Sequence, residues 1–229
     1  MITVIKVGGA LLQDANFAVE VLKKKIEGPA VVVHGGGVQI TRMLDRMNAQ
    51  SKFVDGLRVT DEATLCAVSL ALMGEVHTDL IHAMRTAGLP AVGVFGAIQA
   101  QKKQGPWGLV GANVTADAET LMALTQAGKI PVIPTLGCGE HSLLNINGDE
   151  TAAAVAVSIG ATRLVFMTDV PGVKDAAGAV LGHVTDVGRL LSADFVSGGM
   201  LPKLRAVKTA LDGGVARVLV GATQFGGMA

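Results

Sequence analysis

Apolar residues along the chain follow two spacings that alternate from end to end. Short, nearly unbroken aliphatic runs occur at residues 2–5, 30–34, 91–95, 130–134, 163–168 and 217–220. Runs of this length, rich in Val and Ile, mark strands buried on both faces, as in a parallel sheet. Between them the apolar positions fall mostly three or four apart, as in Val38, Ile40, Leu44 and Met47, or Leu65, Val68 and Leu72. That is the stripe of an amphipathic helix. Helices are expected over 16–26, 38–48, 60–84, 118–127, 151–159 and 200–213. Glu27-Gly28-Pro29 stops the first, and Gly128 and Gly160 cap two others, because glycine suits the left-handed cap and proline cannot continue a helix.

Two stretches break the alternation. Residues 53–60 carry the turn dipeptide Asp55-Gly56 within an extended segment, which predicts a hairpin over a site. Residues 96–113, rich in Gln, Lys and Gly, read as a surface loop or small hairpin in which Trp107 packs. No repeat and no polar linker divides the chain. The alternation predicts one α/β domain over 1–229, a three-layer α/β/α sandwich with a mainly parallel central sheet.

Composition narrows the core and the partners. Apolar residues make up 50% of the 229 and aromatics only 3%, so the core is aliphatic. The formal net charge is +0 and no basic tract is present, which argues against nucleic acid. Lys23-Lys24-Lys25 reads as the solvated, cation-favouring end of a helix. Cys66 and Cys138 have no metal or redox spacing, as in a reduced cytosolic protein. With no run of ~20 apolar residues and no signal peptide, the expectation is a soluble cytoplasmic protein with no membrane partner.

Strand ends in such a sheet collect at one edge, and ligands bind outside them. Lys6-Val7-Gly8-Gly9 follows the first strand, and His34-Gly35-Gly36-Gly37 follows the second, where a helix begins. Glycines let backbone N–H groups approach a ligand, and a helix N-terminus favours an anion. Arg58, the segment Asn145-Ile146-Asn147-Gly148-Asp149, and the segment Gly198-Gly199-Met200-Leu201-Pro202-Lys203 converge on the same edge. Cations beside a phosphate cradle suit phosphoryl transfer, which asks the protein mainly for positioning and charge neutralisation. A carboxylate acceptor, with a reference pKa of about 4.3, needs no general base near pH 7. Lysines on either side of the transferring group would relieve the repulsion between two anions, and Asp149 would keep both ammonium groups charged and in place. A plain N-cap for the helix from 151 is the other reading of Asp149, and the two roles are compatible.

These residues resemble the amino acid kinase family over nearly the whole chain. The motifs are Lys6-Val7-Gly8-Gly9, Val33-His34-Gly35-Gly36-Gly37, residues 53–61, Ile130-Pro131-Val132-Ile133-Pro134, Asn145-Ile146-Asn147-Gly148-Asp149, Thr168-Asp169-Val170-Pro171-Gly172-Val173 and Gly199-Met200-Leu201-Pro202-Lys203. Gly56-Leu57-Arg58-Val59-Thr60 is the most specific and points to the branch that phosphorylates N-acetyl-L-glutamate. The resemblance implies that an N-terminal lobe of about 1–159 binds that small molecule and a C-terminal lobe of about 160–229 binds ATP with Mg2+. It implies that Lys6 and Lys203 stabilise the transferring phosphoryl group and that Asp149 orients them. Gly8, Gly9, Gly35 and Gly36 would supply N–H groups, Arg58 would take a substrate carboxylate, and Asn145 would bind the substrate's polar groups. Thr168, Asp169, Val173, Lys174 and Met200 would lie by the nucleotide.

The chain departs from the family in three places. His77-Thr78 replaces an Asn-Lys pair, on a helix expected at a subunit contact. Gly96-Ala97-Ile98-Gln99 replaces a Gly-x-Asp-Gly turn, and residues 224–229 end the chain where the family continues to a closing strand, a loss expected to weaken the nucleotide lobe. Arginine-inhibited members carry a helix ahead of the first strand, whereas here that strand begins at Ile2. The expectation is therefore a homodimer insensitive to arginine. Two other functions fit the same motifs: a kinase for carrier-linked glutamate or 2-aminoadipate, and a non-catalytic nucleotide-binding regulator.

Overall fold

The computed structural model describes residues 1–227. Its centre is β1 (Thr3–Val7), paired in parallel with β2 (Ala30–His34) on one side and β11 (Arg163–Met167) on the other. Chain order runs through α1 (Ala15–Lys23), α2 (Gly37–Arg46), β3 (Phe53–Val54), β4 (Leu57–Arg58), α3 (Glu62–Ser69), α4 (Thr78–Thr86) and β5 (Ala91–Gly93). It continues through β6 (Ile98–Lys102), β7 (Gly111–Ala116), α5 (Ala118–Gln126), β8 (Ile130–Pro134), β9 (Leu136–Cys138), β10 (Leu143–Asn145) and α6 (Gly148–Ser158). After β11 come β12 (His183–Val184), α7 (Val187–Leu191), α8 (Met200–Asp212), β13 (Arg217–Val220) and β14 (Thr223–Gly226).

The main sheet has the order β12-β14-β13-β11-β1-β2-β8-β5, parallel except for the β13–β14 pair. Its aliphatic strands are covered on both faces, as their unbroken pattern predicts. Val4, Val31, Val33 and Phe166 pack with Leu121, Ala152, Val155 and Leu204 from α5, α6 and α8. Ile5, Val7, Val32 and Val165 point the other way, onto Val19, Leu22, Leu80 and Met84 of α1 and α4. Burying each such side chain contributes roughly 1.5–3 kcal/mol. The result is the expected three-layer sandwich.

Four features go beyond or differ from the sequence reading. Of the two readings of residues 96–113 the hairpin holds, β6 pairing with β7, but it belongs to a second, four-stranded sheet, order β10-β9-β6-β7, that was not expected. Ile98 and Ala100 are buried while Gln99 and Gln101 are exposed, a two-residue alternation that the small and polar residue types conceal. The helix expected to end near 84 runs to 86, and residues Leu70–His77 within it are π-helical. By length and mean hydropathy Glu62–Thr86 would suffice to cross a bilayer, a run the sequence reading did not anticipate. Its inner residues Val68, Leu72, Leu80 and Met84 are core, however, and Asp79, His82 and Arg85 lie exposed on its outer side. His77, on the helix expected at a subunit contact, points inward and lies 2.9 Å from His34. At the C-terminal end a closing strand does form, β14, inserted between β13 and the edge strand β12. Of the stretch expected to fall short, Met228 and Ala229 lie outside the described residues.

Candidate active site

Because β1, β2, β8 and β11 run in parallel, their C-terminal ends open on one edge. Lys6 stands at the end of β1, level with Val33 and Phe166. The two glycine loops that follow β1 and β2 touch: a Cβ on Gly9 would lie 2.7 Å from the Gly37 nitrogen, so no side chain is tolerated there. α2 starts immediately after Gly36 with no side chain capping it. Its first N–H groups are therefore left to an anion at the mouth of the loop.

α6 begins one turn beyond β10. Asn147 is its N-cap, its Oδ1 accepting from the N–H of Asp149 at 2.9 Å and of Glu150 at 3.2 Å. The alternative reading of Asp149 as that cap is thereby corrected: it sits in the first turn, buried, with its carboxylate free for other work. Lys203 Nζ donates to Asp149 Oδ2 at 2.8 Å. Lys6 Nζ lies 3.0 Å from Oδ1 as an ion pair, outside hydrogen-bonding alignment. Burial alone would raise the pKa of Asp149, but the charges of Lys6 and then Lys203 outweigh it and hold the carboxyl below its ordinary value. Burial lowers the pKa of Lys203, with Asp149 opposing. Gly148 lets Lys6 pass, since a Cβ there would lie 3.0 Å from Lys6 Cε.

The hairpin predicted over the site is present. Asp55 and Gly56 form its turn with φ of 49° and 78°, the left-handed pair of a tight β-hairpin. It carries Arg58, whose Nη2 donates to Gly37 O at 3.2 Å and to Thr41 Oγ1 at 3.0 Å, with the guanidinium 4.8 Å above the Phe53 ring. Its Nη1 is buried with no partner among the described residues. A buried cation with a free donor costs stability unless something charged arrives to pair with it. Asn145 Nδ2 donates to Thr60 Oγ1 at 3.0 Å, and that hydroxyl donates to Arg58 O at 2.9 Å. Trp107 packs as expected and does more: its Nε1 donates to Val54 O at 3.1 Å, tying the β6–β7 connection to the Arg58 hairpin.

Lys6, Gly9, Gly35, Gly36, Arg58, Asn145 and Gly148 thus enclose a cavity of about 280 Å³. It can hold a small anion between the glycine loop, the Arg58 donor and the Lys6 ammonium. Lys203 meets it from the far side of Asp149. The residues assigned to the nucleotide are more scattered. Gly8 donates from its N–H to Met167 O at 3.1 Å, which sets it beside Thr168 and Asp169 at the end of β11. Met200 opens α8, three residues before Lys203. Val173 is buried and its N–H is held by Thr223 Oγ1 at 2.8 Å, while Lys174 is exposed on a bridge to Val180. Val173 therefore has no side chain to offer a ligand.

Sequence reasoning missed Thr41, a lone threonine with no local signal, and included Thr60 in a motif without giving it a role; the two brace Arg58 and Asn145. It also missed a wider cleft of about 1170 Å³ between the β6–β7 hairpin and α6 and α8, lined by Lys103, Trp107, Glu150 and Arg205. Burial raises the Glu150 pKa there, against the pull of Lys103.

A sequence profile of the amino acid kinase family matches residues 1–222. The chain is 39% identical over 223 residues to the acetylglutamate kinase of Roseiflexus sp. (strain RS-1), covering 93% of this chain and 85% of that protein. With the acetylglutamate kinase of Acidobacterium capsulatum it shares 40% over 233 residues, 95% of this chain and 89% of that one. Among solved structures, smu.665 from Streptococcus mutans UA159 superposes with a TM-score of 0.87 at 30% identity, covering 98% of both chains. An N-acetylglutamate synthase from Neisseria gonorrhoeae, complexed with coenzyme A and N-acetyl-glutamate, gives a TM-score of 0.85 at 23% identity, over 100% of this chain and 60% of that one. That last likeness is one of fold alone.

Proposed function

The chain belongs to the amino acid kinase family, and from that premise we propose that it is the kinase that phosphorylates the side-chain carboxylate of N-acetyl-L-glutamate in arginine biosynthesis. Relatives at 39% and 40% identity over nearly the full chain bear the name acetylglutamate kinase. The observation that carries the chemical reading is Asp149 bridging Lys6 and Lys203 beside a cavity in which Arg58 has an unpaired donor.

The acceptor carboxylate is ionised at neutral pH and attacks the γ-phosphorus of ATP. An O–P bond forms to the acceptor, the O–P bond to the β-phosphate breaks, and ADP leaves with the electron pair. No proton need be removed, so the residues act by position and charge. On this reading the α2 N-terminus and the N–H groups of Gly9 and Gly36 receive the phosphoryl oxygens, those of Gly8 and Gly35 being already given to Met167 O and Val7 O, and Lys6 and Lys203 neutralise charge on either side of the moving group. Asp149 is a positioning residue, since both its oxygens face lysines. Arg58 takes a carboxylate of the acceptor and Asn145 its amide. The acceptor belongs to the lobe of about 1–159, and the nucleotide to that of about 160–229, beside Thr168, Asp169 and Met200.

Among the described residues no group of three His, Cys, Asp or Glu could hold a metal ion. Magnesium therefore fits here as an ion carried by the nucleotide's phosphates, with the Asp169 carboxylate close enough to act on the charge of Lys203, and it would neutralise phosphate charge. A homodimer through the outer face of the helix 62–86 is in keeping with Leu70, half exposed there.

The test is ADP release from MgATP with N-acetyl-L-glutamate, glutamate, aspartate, UMP and a carrier-linked glutamate, trapping acyl phosphate with hydroxylamine. Trappable product is expected with N-acetyl-L-glutamate and far less with the others. Preference for the carrier-linked acceptor would replace this reading, and no turnover with any would favour a regulator.

A further inference from the structure

His34 ends β2, and His77 ends the π-helical segment Leu70–His77. His34 is completely buried and His77 is 6% exposed. Their rings meet under the glycine loop, with His34 Nε2 2.9 Å from His77 Nδ1 and centroids 5.1 Å apart. The other nitrogen of His34, Nδ1, lies 3.1 Å from the carbonyl oxygen of Gly35. These contacts fix the protons. A carbonyl only accepts, so His34 Nδ1 carries hydrogen; its Nε2 is then an acceptor, and His77 Nδ1 must donate to it. Burial, and next the neighbouring His77, push the pKa of His34 down to about 3, so the ring is neutral at working pH. Burial lowers that of His77 too.

The peptide joining Gly35 to Gly36 is thereby clamped from one side. In a trans peptide the C=O and N–H point in opposite directions. Holding Gly35 O down against His34 turns the Gly36 N–H the other way, toward the cavity that Gly35, Gly36 and Gly37 line. The π-helical segment supports the same peptide directly, since a Cβ on Gly36 would lie 2.7 Å from Leu72 and 3.2 Å from Val76. Glycine loops are otherwise free to rotate their peptides. We infer that His77, acting through His34, is a positioning residue that aims the Gly36 N–H at the phosphoryl group in transfer. π-Helical turns recur at functional sites, and here the turn brings His77 under the loop.

The kinetic consequence rests on the phosphotransferase reading; the structural one does not. His77→Leu removes the donor, and kcat should fall about ten-fold or more, with KM for ATP and acceptor changed less than about three-fold, since a donor aimed at developing charge acts mainly in the transition state. His77→Asn keeps an N–H donor near the same place and should recover most of that loss. Two-bond 1H–15N spectra of the parent should report the Nδ1-protonated tautomer for both rings, and His77→Leu should shift the Gly36 amide resonance. The inference is overturned if Asn is no better than Leu, if Leu lowers the melting temperature but leaves kcat intact, or if either ring is the Nε2 tautomer. Should His77→Leu fail to fold, His34→Asn, which retains a donor to Gly35 O, is compared with His34→Gln; equal kcat in the two refutes it. The spectra stand without any turnover, so failure of the kinase reading and failure of this one are told apart.

Discussion

Asp149 has a lysine on each carboxylate oxygen, and their charges hold its pKa below the ordinary value, which makes it a poor acceptor for a substrate proton. Its value lies in keeping two like charges a fixed distance apart, which makes the lysines separable in their effects. Lys203→Ala is expected to lower kcat by roughly two or more powers of ten, as for loss of a preorganised charge. Arg58→Ala should act chiefly on KM for the acceptor; steady-state kinetics with each substrate varied will distinguish the two. The lowered pKa of Lys203 adds a pH signature. It loses its proton below the ordinary lysine value of about 10.4, so the alkaline limb of kcat should lie below that value. An arginine there stays charged, so in Lys203→Arg the limb should vanish from whatever activity remains. Lys6, Arg58, Asp149 and Lys203 were legible because charged residues beside glycines at strand ends have few structural uses. The cap at Asn147 was not, because Asn147 and Asp149 are both good caps and only the fold decides between them.

At the scale of elements, the strands that bury both faces could be read closely: 30–34, 130–134 and 217–220 coincide with β2, β8 and β13. The second sheet escaped because β6 and β7 are rich in Gly, Ala, Gln and Asn, whose weak strand preference is overridden by packing, and β9 and β10 are only 3 residues each. Nor does sequence periodicity distinguish a π-helical stretch from its α-helical flanks, since the apolar stripe continues through both. The Arg58 hairpin is too small to be stable by itself, and Trp107 holds it to the second sheet. Trp107→Phe removes that hydrogen bond while keeping an aromatic ring. It should raise KM for the acceptor several-fold and leave KM for ATP unchanged; equal effects on both would show that the tie serves the whole domain.

For the molecule as a whole, the two histidines beneath the glycine loop make acid the weak side. Unfolded His34 takes up a proton near pH 6.5, but in the fold only near about 3. A depressed folded pKa means the stabilisation is complete above 6.5 and is lost as pH falls toward 3, at up to about 1.4 kcal/mol per pH unit for one proton. Denaturant titrations at pH 7 and pH 5 should show the parent losing about 2 kcal/mol more than His34→Asn, which has nothing there to protonate. An equal loss in both would assign acid sensitivity to other groups.

β1 is bonded along its full length to β2 on one side and β11 on the other. The glycine loop and Arg58 side of the cleft hangs from one neighbour, and the Thr168 and Asp169 side from the other. Neither can slide along β1 without breaking a ladder, so the motion left to them is a change of twist about it. Lys6 grows from that axis. The two walls of the cleft thus share one strand as their common support, and that strand carries one of the charges the reacting groups need.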